Sequence, residues 1–155
     1  MAHILIVDDD EFIAEMASEI LITKGHACGW VTSGEEALTM LKWRQPDLVL
    51  LDQDMPGMSG AQVLREMRTS RQLYDLPVIM FTAMSGAKDE EQARFNGAQD
   101  YVRKPFNPQF LMLKVRQVLA ARAEGPRHRT LEAFLAERNG VQWEEASVPA
   151  PRRFV

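Results

Sequence analysis

Leu48-Val49-Leu50-Leu51-Asp52-Gln53-Asp54-Met55-Pro56-Gly57 is the stretch that decides the fold. Its apolar run is short and unbroken and ends in a Pro-Gly turn signal, so it reads as a buried strand. A carboxylate, Asp52, sits at the run's end. The pattern recurs on both sides. His3-Ile4-Leu5-Ile6-Val7 leads into Asp8-Asp9, Val78-Ile79-Met80-Phe81 into Thr82, and Ala98-Gln99-Asp100-Tyr101-Val102 comes just before Lys104. In an open parallel α/β sheet the carboxyl ends of the strands share one crevice. Three carboxylates, a hydroxyl and an ammonium are therefore expected to meet there, a density of charge at an apolar sheet edge that points to chemistry.

With strands expected near residues 3, 27, 47, 76 and 98, strand and helix alternate five times between residues 3 and 121, which implies a parallel sheet with helices on both faces. The first helix, about Glu11 to Lys24, places Ile13, Met16, Ala17 and Ile20 at helical spacing and stops at Gly25, a residue suited to a left-handed cap. Ser33 with Glu36 has the spacing of a capping box, Gly60, Val63, Leu64 and Met67 mark the third helix, and Asn107-Pro108 opens the last. The segment from about Gly86 to Asn96 is crowded with charge and has little apolar surface, so it is expected to be weakly anchored.

A chain of 155 residues with 46% apolar and 26% charged residues has room for a full core, and a formal charge of -4 makes no electrostatic case for nucleic acid. The single cysteine, Cys28, falls in a predicted strand and reads as a small core residue. No run is long enough to span a bilayer and no leader pattern opens the chain, so a cytoplasmic protein away from membranes is expected. Gly125-Pro126 marks a boundary. The expected organisation is one α/β domain over residues 1–123 and an extension over 124–155, with a short helix near 131–139 and no separate effector domain. That helix would carry Leu131, Phe134 and Leu135 between Thr130 and Asn139-Gly140.

Asp8-Asp9, the Asp52 stretch, Phe81-Thr82-Ala83 and Tyr101-Val102-Arg103-Lys104-Pro105-Phe106 together resemble, in order and spacing over residues 3–121, the receiver domain of two-component response regulators of the single-domain chemotaxis type. The resemblance implies a doubly wound flavodoxin-like sheet of order 2-1-3-4-5. It implies that Asp52 accepts a phosphoryl group from a phosphohistidine on a kinase or a histidine phosphotransfer protein. Asp9 and Asp52 would then bind Mg²⁺ directly, the backbone carbonyl of Asp54 would supply a third oxygen, and Asp8 would act through water. Lys104, after a cis bond to Pro105, and the Thr82 hydroxyl would hold phosphoryl oxygens, with Thr82 and Tyr101 forming the switch. Asp54 and Met84 would tune attack by water.

Electrostatics supports the cation. A phosphorylated Asp52 beside Asp8 and Asp9 brings like charges together at a cost on the order of 4 kcal/mol per close pair at an effective dielectric near 20, which a hard divalent ion bound by oxygens offsets. A haloacid-dehalogenase-type phosphatase also uses an Asp-x-Asp pair such as Asp52-Gln53-Asp54, but there the pair belongs to the first strand, whereas here Asp8-Asp9 come first. A pseudo-receiver that keeps the fold without phosphorylation would lack site residues that are all filled here. The expected product is a phosphoacceptor rather than an enzyme, with a downstream protein recognised around Lys88, Glu91, Arg94 and Tyr101, or alternatively a phosphorelay intermediate or phosphate sink.

Overall fold

The computed structural model of the chain describes residues 1–83 and 97–123. In chain order these form β1 (His3–Val7), α1 (Glu11–Ile22), β2 (Ala27–Val31), α2 (Gly34–Trp43), β3 (Leu48–Asp52), α3 (Gly60–Thr69), β4 (Val78–Thr82), β5 (Asp100–Arg103) and α4 (Pro108–Ala123). The segment from 86 to 96 and the terminal helix near 131–139 lie outside the described residues, as do Met84, Lys88, Glu91 and Arg94.

All five strands pair in parallel in the order β2-β1-β3-β4-β5, the flavodoxin-like arrangement expected from the sequence. β3 and β4 are buried along their whole length because helices cover both sides of the sheet. Side-chain alternation divides the core. Leu5, Val7, Val49, Leu51, Val78 and Met80 face α2 and α3, whereas Ile4, Ile6, Leu48, Leu50, Ile79 and Phe81 face α1 and α4. Each such side chain withdrawn from water stabilises the fold by about 1.5–3 kcal/mol before ordering costs.

The helix ends follow local chemistry. α1 begins where the Asp10 carboxylate accepts the N–H groups of Phe12 and Ile13, and it closes around Gly25, whose φ of 88° lets its own N–H reach the Ile22 carbonyl and that of His26 reach Leu21. The Ser33 hydroxyl caps α2 by accepting from Glu36 N–H, but the Glu36 carboxylate reaches back to the N–H of Thr32 and not to that of Ser33. The reciprocal capping box occurs instead at α3, between Ser59 and Gln62. Asn107 accepts from Gln109 and Phe110 at the start of α4, as Asn107-Pro108 predicts.

β5 starts at Asp100 and not at Ala98, because the Gln99 side chain is engaged elsewhere. Its Oε1 accepts the N–H of Val78 at 2.7 Å and a hydrogen bond from Arg68 at 3.1 Å. The same guanidinium donates to the carbonyls of Leu73, Tyr74, Leu76 and Gly97, tying the end of α3 to the approaches of both β4 and β5. Burial pulls Arg68 down to about 10, and it stays a cation at neutral pH. Cys28 is half-buried on β2, and burial pushes its thiol up to about 11.

Candidate functional site

Strand register brings the site residues together. Val7 lies beside Leu51, so one step further Asp8 reaches the level of Asp52, the last residue of β3. Asp52 lies beside Phe81, and Thr82, the last residue of β4, lies beside Arg103. Backbone bonds continue past the strand ends, from Asp8 N–H to the Val31 carbonyl, Gln53 N–H to Phe81 and Lys104 N–H to Thr82, which fixes the loops that carry the polar groups.

Asp8, Asp52 and Thr82 are buried, and Asp9 is exposed at the rim. Carboxylate oxygens of Asp8, Asp9 and Asp52 all lie within 4.8 Å of one another. Lys104, which follows β5 and precedes a cis peptide bond to Pro105, places Nζ 2.5 Å from Asp8 Oδ2 and 3.2 Å from Asp52 Oδ1. Its ammonium also lies 5.1 Å from the centre of the Phe81 ring, which packs against Phe106. The Asp54 side chain points outward, while its N–H donates to Asp52 Oδ1 at 3.3 Å.

Burial and then the charge of Asp8 push the Asp52 carboxyl up to about 7, and Lys104 offsets only part of this. Burial draws the Lys104 ammonium down, but its hydrogen bond to Asp8 and the charge of Asp52 outweigh that, so it sits above its ordinary value. With all three carboxylates ionised, one ammonium leaves the cluster with an excess of negative charge. The donor set is entirely carboxylate oxygen, the chemistry of a hard cation. Octahedral Mg²⁺ with oxygens at about 2.1 Å separates its ligands by about 3 Å or about 4 Å, so these oxygens fit such an ion after small movements.

The approach of α3 is a feature that helical spacing alone does not show. Gly60 donates its N–H to the Gln53 carbonyl at 3.0 Å, and a Cβ there would overlap the Asp52 carbonyl and lie 2.9 Å from Gln53 Cα. Read in sequence as one more position on the α3 face, Gly60 is where the helix abuts the backbone of the site. The Ser59-x-x-Gln62 pattern was the available signal that the helix starts there. Tyr101, on the edge strand β5, is 6% exposed and packs inward with the α2–α3 side of the core.

A parallel sheet of order 2-1-3-4-5 that ends in an acidic pocket with a paired lysine defines a phosphoacceptor class of α/β protein. The response regulator receiver domain family matches residues 4–116, and the chain belongs to that family, whose members are phosphoacceptor modules of two-component signalling and not classical enzymes. Among curated relatives it is 39% identical over 124 residues to the DNA-binding response regulator MtrA of Mycolicibacterium smegmatis, covering 80% of this chain and 53% of that protein. It is 35% identical over 129 residues to the phosphate regulon transcriptional regulatory protein PhoB of Pseudomonas aeruginosa, covering 83% and 56%. The chain thus spans about half the length of the curated relatives it matches. Among solved structures, chemotaxis protein CheY4 of Vibrio cholerae superposes with a TM-score of 0.72 at 30% identity, covering 76% of this chain and 98% of that one. A CheY-like receiver domain protein of Methanospirillum hungatei gives 0.73 at 28%, covering 81% and 99%. No helix among the described residues is long and apolar enough to cross a membrane.

Proposed function

We propose that the chain is a phosphorylation-activated signalling protein of a two-component system or phosphorelay, of the single-domain chemotaxis type, with Asp52 as its phosphoacceptor. The observation that supports this best is the meeting of Asp8, Asp9, Asp52 and Lys104 at one end of the sheet. An Asp52 oxygen attacks the phosphorus of a phosphohistidine on a histidine kinase or phosphotransfer protein. The P–N bond breaks and its electron pair stays on the imidazole nitrogen. Lys104, already 3.2 Å from Asp52, pairs with a phosphoryl oxygen, and the Thr82 hydroxyl donates to another. Asp9, Asp52 and the Asp54 carbonyl would hold Mg²⁺, with Asp8 acting through water, and the ion would supply charge neutralisation at the phosphoryl oxygens. Lys104 pairs with Asp8 as well as Asp52, and this keeps the ammonium aimed at the pocket throughout.

The output we propose is a protein-binding surface around Lys88, Glu91, Arg94 and Tyr101. The inward Tyr101 corresponds to the position that a phosphoryl group would favour by drawing Thr82 toward itself, so phosphorylation would shift a pre-existing equilibrium toward it. A relay or sink is the alternative, favoured if phosphate passes onward without any change at that surface.

The test is labelling from acetyl phosphate and from candidate kinases. Phosphate that is released by hydroxylamine, absent in Asp52→Asn and absent after chelation, is expected. Undiminished labelling of Asp52→Asn would overturn the assignment. Amide exchange with and without beryllofluoride then reads the switch, which fails if the changes stop at the Asp52 loop or persist unchanged in Thr82→Ala. Repeated turnover of small phosphate esters would favour a haloacid-dehalogenase-type phosphatase instead.

A further inference from the structure

Eight large apolar side chains are exposed among the described residues, and six of them lie on one face of the sheet. Phe12, Met16 and Ile22 are on α1, Phe110 and Leu113 are on α4, and Trp30 stands on the same side of β2 because it pairs in register with Ile6. Among the described residues, α2 and α3 on the opposite face expose only Trp43. An apolar patch of this kind, edged by charge, marks a contact surface. The charge is divided between the two helices. α1 carries Glu11, Glu15 and Glu19 and no cation, whereas α4 carries Lys114, Arg116 and Arg122 and no carboxylate. Neither Glu19 nor Arg116 forms an ion pair with another described residue.

We propose that this face joins two copies of the chain about a two-fold axis parallel to α1 and α4, so that α1 of each copy lies on α4 of the other.

Helical spacing supplies the match. Phe12, Met16, Glu19 and Thr23 form the outermost stripe of α1, and Gln109, Leu113, Arg116 and Ala120 that of α4, all of them exposed. Both stripes have the i, i+4, i+7, i+11 spacing of a helix–helix seam. α1 starts four residues after β1 and α4 five residues after β5, and both run back from the carboxyl edge of the sheet. The two helices are therefore parallel and begin at nearly one level. An axis along the helices keeps every residue at its own level. It sets Met16 of one copy against Leu113 of the other and Glu19 against Arg116, each contact made twice. An apolar groove of about 620 Å³ runs between α1 and α4 beside Leu21, Met112 and Leu113. Met16 of the second copy enters it, a role suited to a flexible thioether. Lys24, past the last turn of α1, is exposed and stays in water below this pairing.

Charge selects this arrangement over the other two-fold. An axis across the helices would lay α1 on α1 and α4 on α4, opposing carboxylate to carboxylate and cation to cation. The proposal does not rest on the phosphotransfer reading, since none of these residues belongs to the acidic pocket.

Sedimentation of the full chain, diluted stepwise from millimolar concentration, reads the contact, and a monomer–dimer equilibrium is expected. Glu19→Arg alone and Arg116→Glu alone each put two like-charge pairs into the dimer and should raise its dissociation constant at least about tenfold. Mixed together, the two variants restore opposite charges at both contacts and the dimer should return, a rescue that misfolding cannot produce. A second measurement uses mild oxidation with Cys28→Ser in every protein. Met16→Cys mixed with Leu113→Cys should cross-link between copies, and faster than either alone. A chain that stays monomeric at millimolar concentration would overturn the proposal. So would charge reversals that leave the dimer unchanged, a mixture that fails to recover it, or Met16→Cys alone cross-linking as fast as the mixture.

Discussion

Removing the carboxylate proposed as the phosphoacceptor should make the metal-free protein more stable, by an amount that grows with pH. In the unfolded chain Asp52 ionises near 3.8, whereas in the fold burial and Asp8 raise it to about 7. A folded pKa above the unfolded one gives stability that is complete below the unfolded value and is lost as pH rises through the folded value. The window is therefore from about 4 to about 7. At about 1.4 kcal/mol per pH unit, the roughly three-unit gap sets a ceiling of about 4 kcal/mol above neutrality. The amide of Asp52→Asn does not ionise, but it weakens the contacts with Lys104 and with the Asp54 N–H, so about 2–3 kcal/mol is the expected net gain.

The assay is urea denaturation of the wild type and Asp52→Asn in chelator, from acid to mildly alkaline pH. The two curves should nearly coincide near pH 4, to within about 1 kcal/mol, and separate steadily up to neutrality. Added Mg²⁺ should close the gap, because ligand binding to the folded state favours the protein with the full set of carboxylates. A gap independent of pH, or a less stable Asp52→Asn above neutrality, would refute the claim that Asp52 is held ionised against burial and Asp8.

Gly60→Ala sets a Cβ against the Asp52 carbonyl, so thermal or urea unfolding should show a loss of about 1–3 kcal/mol and phosphorylation should slow as the loop is displaced; wild-type behaviour in both would contradict the close approach. Arg68→Met deprives the part-buried carbonyls at Leu73, Leu76 and Gly97 of their donor and should cost about 1–3 kcal/mol. Because Arg68 ties down Gly97 and Gln99, amide exchange just ahead of β5 should accelerate more than in β1.

The parts of this molecule that were legible in its sequence are those governed by local pattern. Unbroken apolar runs such as Val78–Phe81 announce strands buried on both faces, and their alternation with helical spacing leaves few topologies because parallel crossovers are right-handed. Once the order is known, the polar residue after each run has only one crevice to occupy, so Asp8, Asp52 and Lys104 could be brought together from the sequence alone. Long-range polar capture is different. Arg68 reads as one charged residue on an amphipathic helix, and nothing in its neighbours says that its guanidinium is spent on carbonyls as far away as Gly97. Gln99 likewise reads as part of a strand, but its side chain takes the N–H of Val78 and postpones β5 to Asp100. Such interactions depend on which loops the fold happens to juxtapose, and they carry no periodicity. The same reasoning accounts for the direction of the Asp52 shift, since the sequence places three carboxylates together but only packing fixes that Asp52 is buried and Asp9 is not. A carboxylate under that constraint is offset by a cation, and an acyl phosphate there, with about two negative charges in place of one, would need that cation and Lys104 all the more, so the charge added to an already crowded pocket is what would draw the Thr82 hydroxyl and couple phosphorylation to the end of β4.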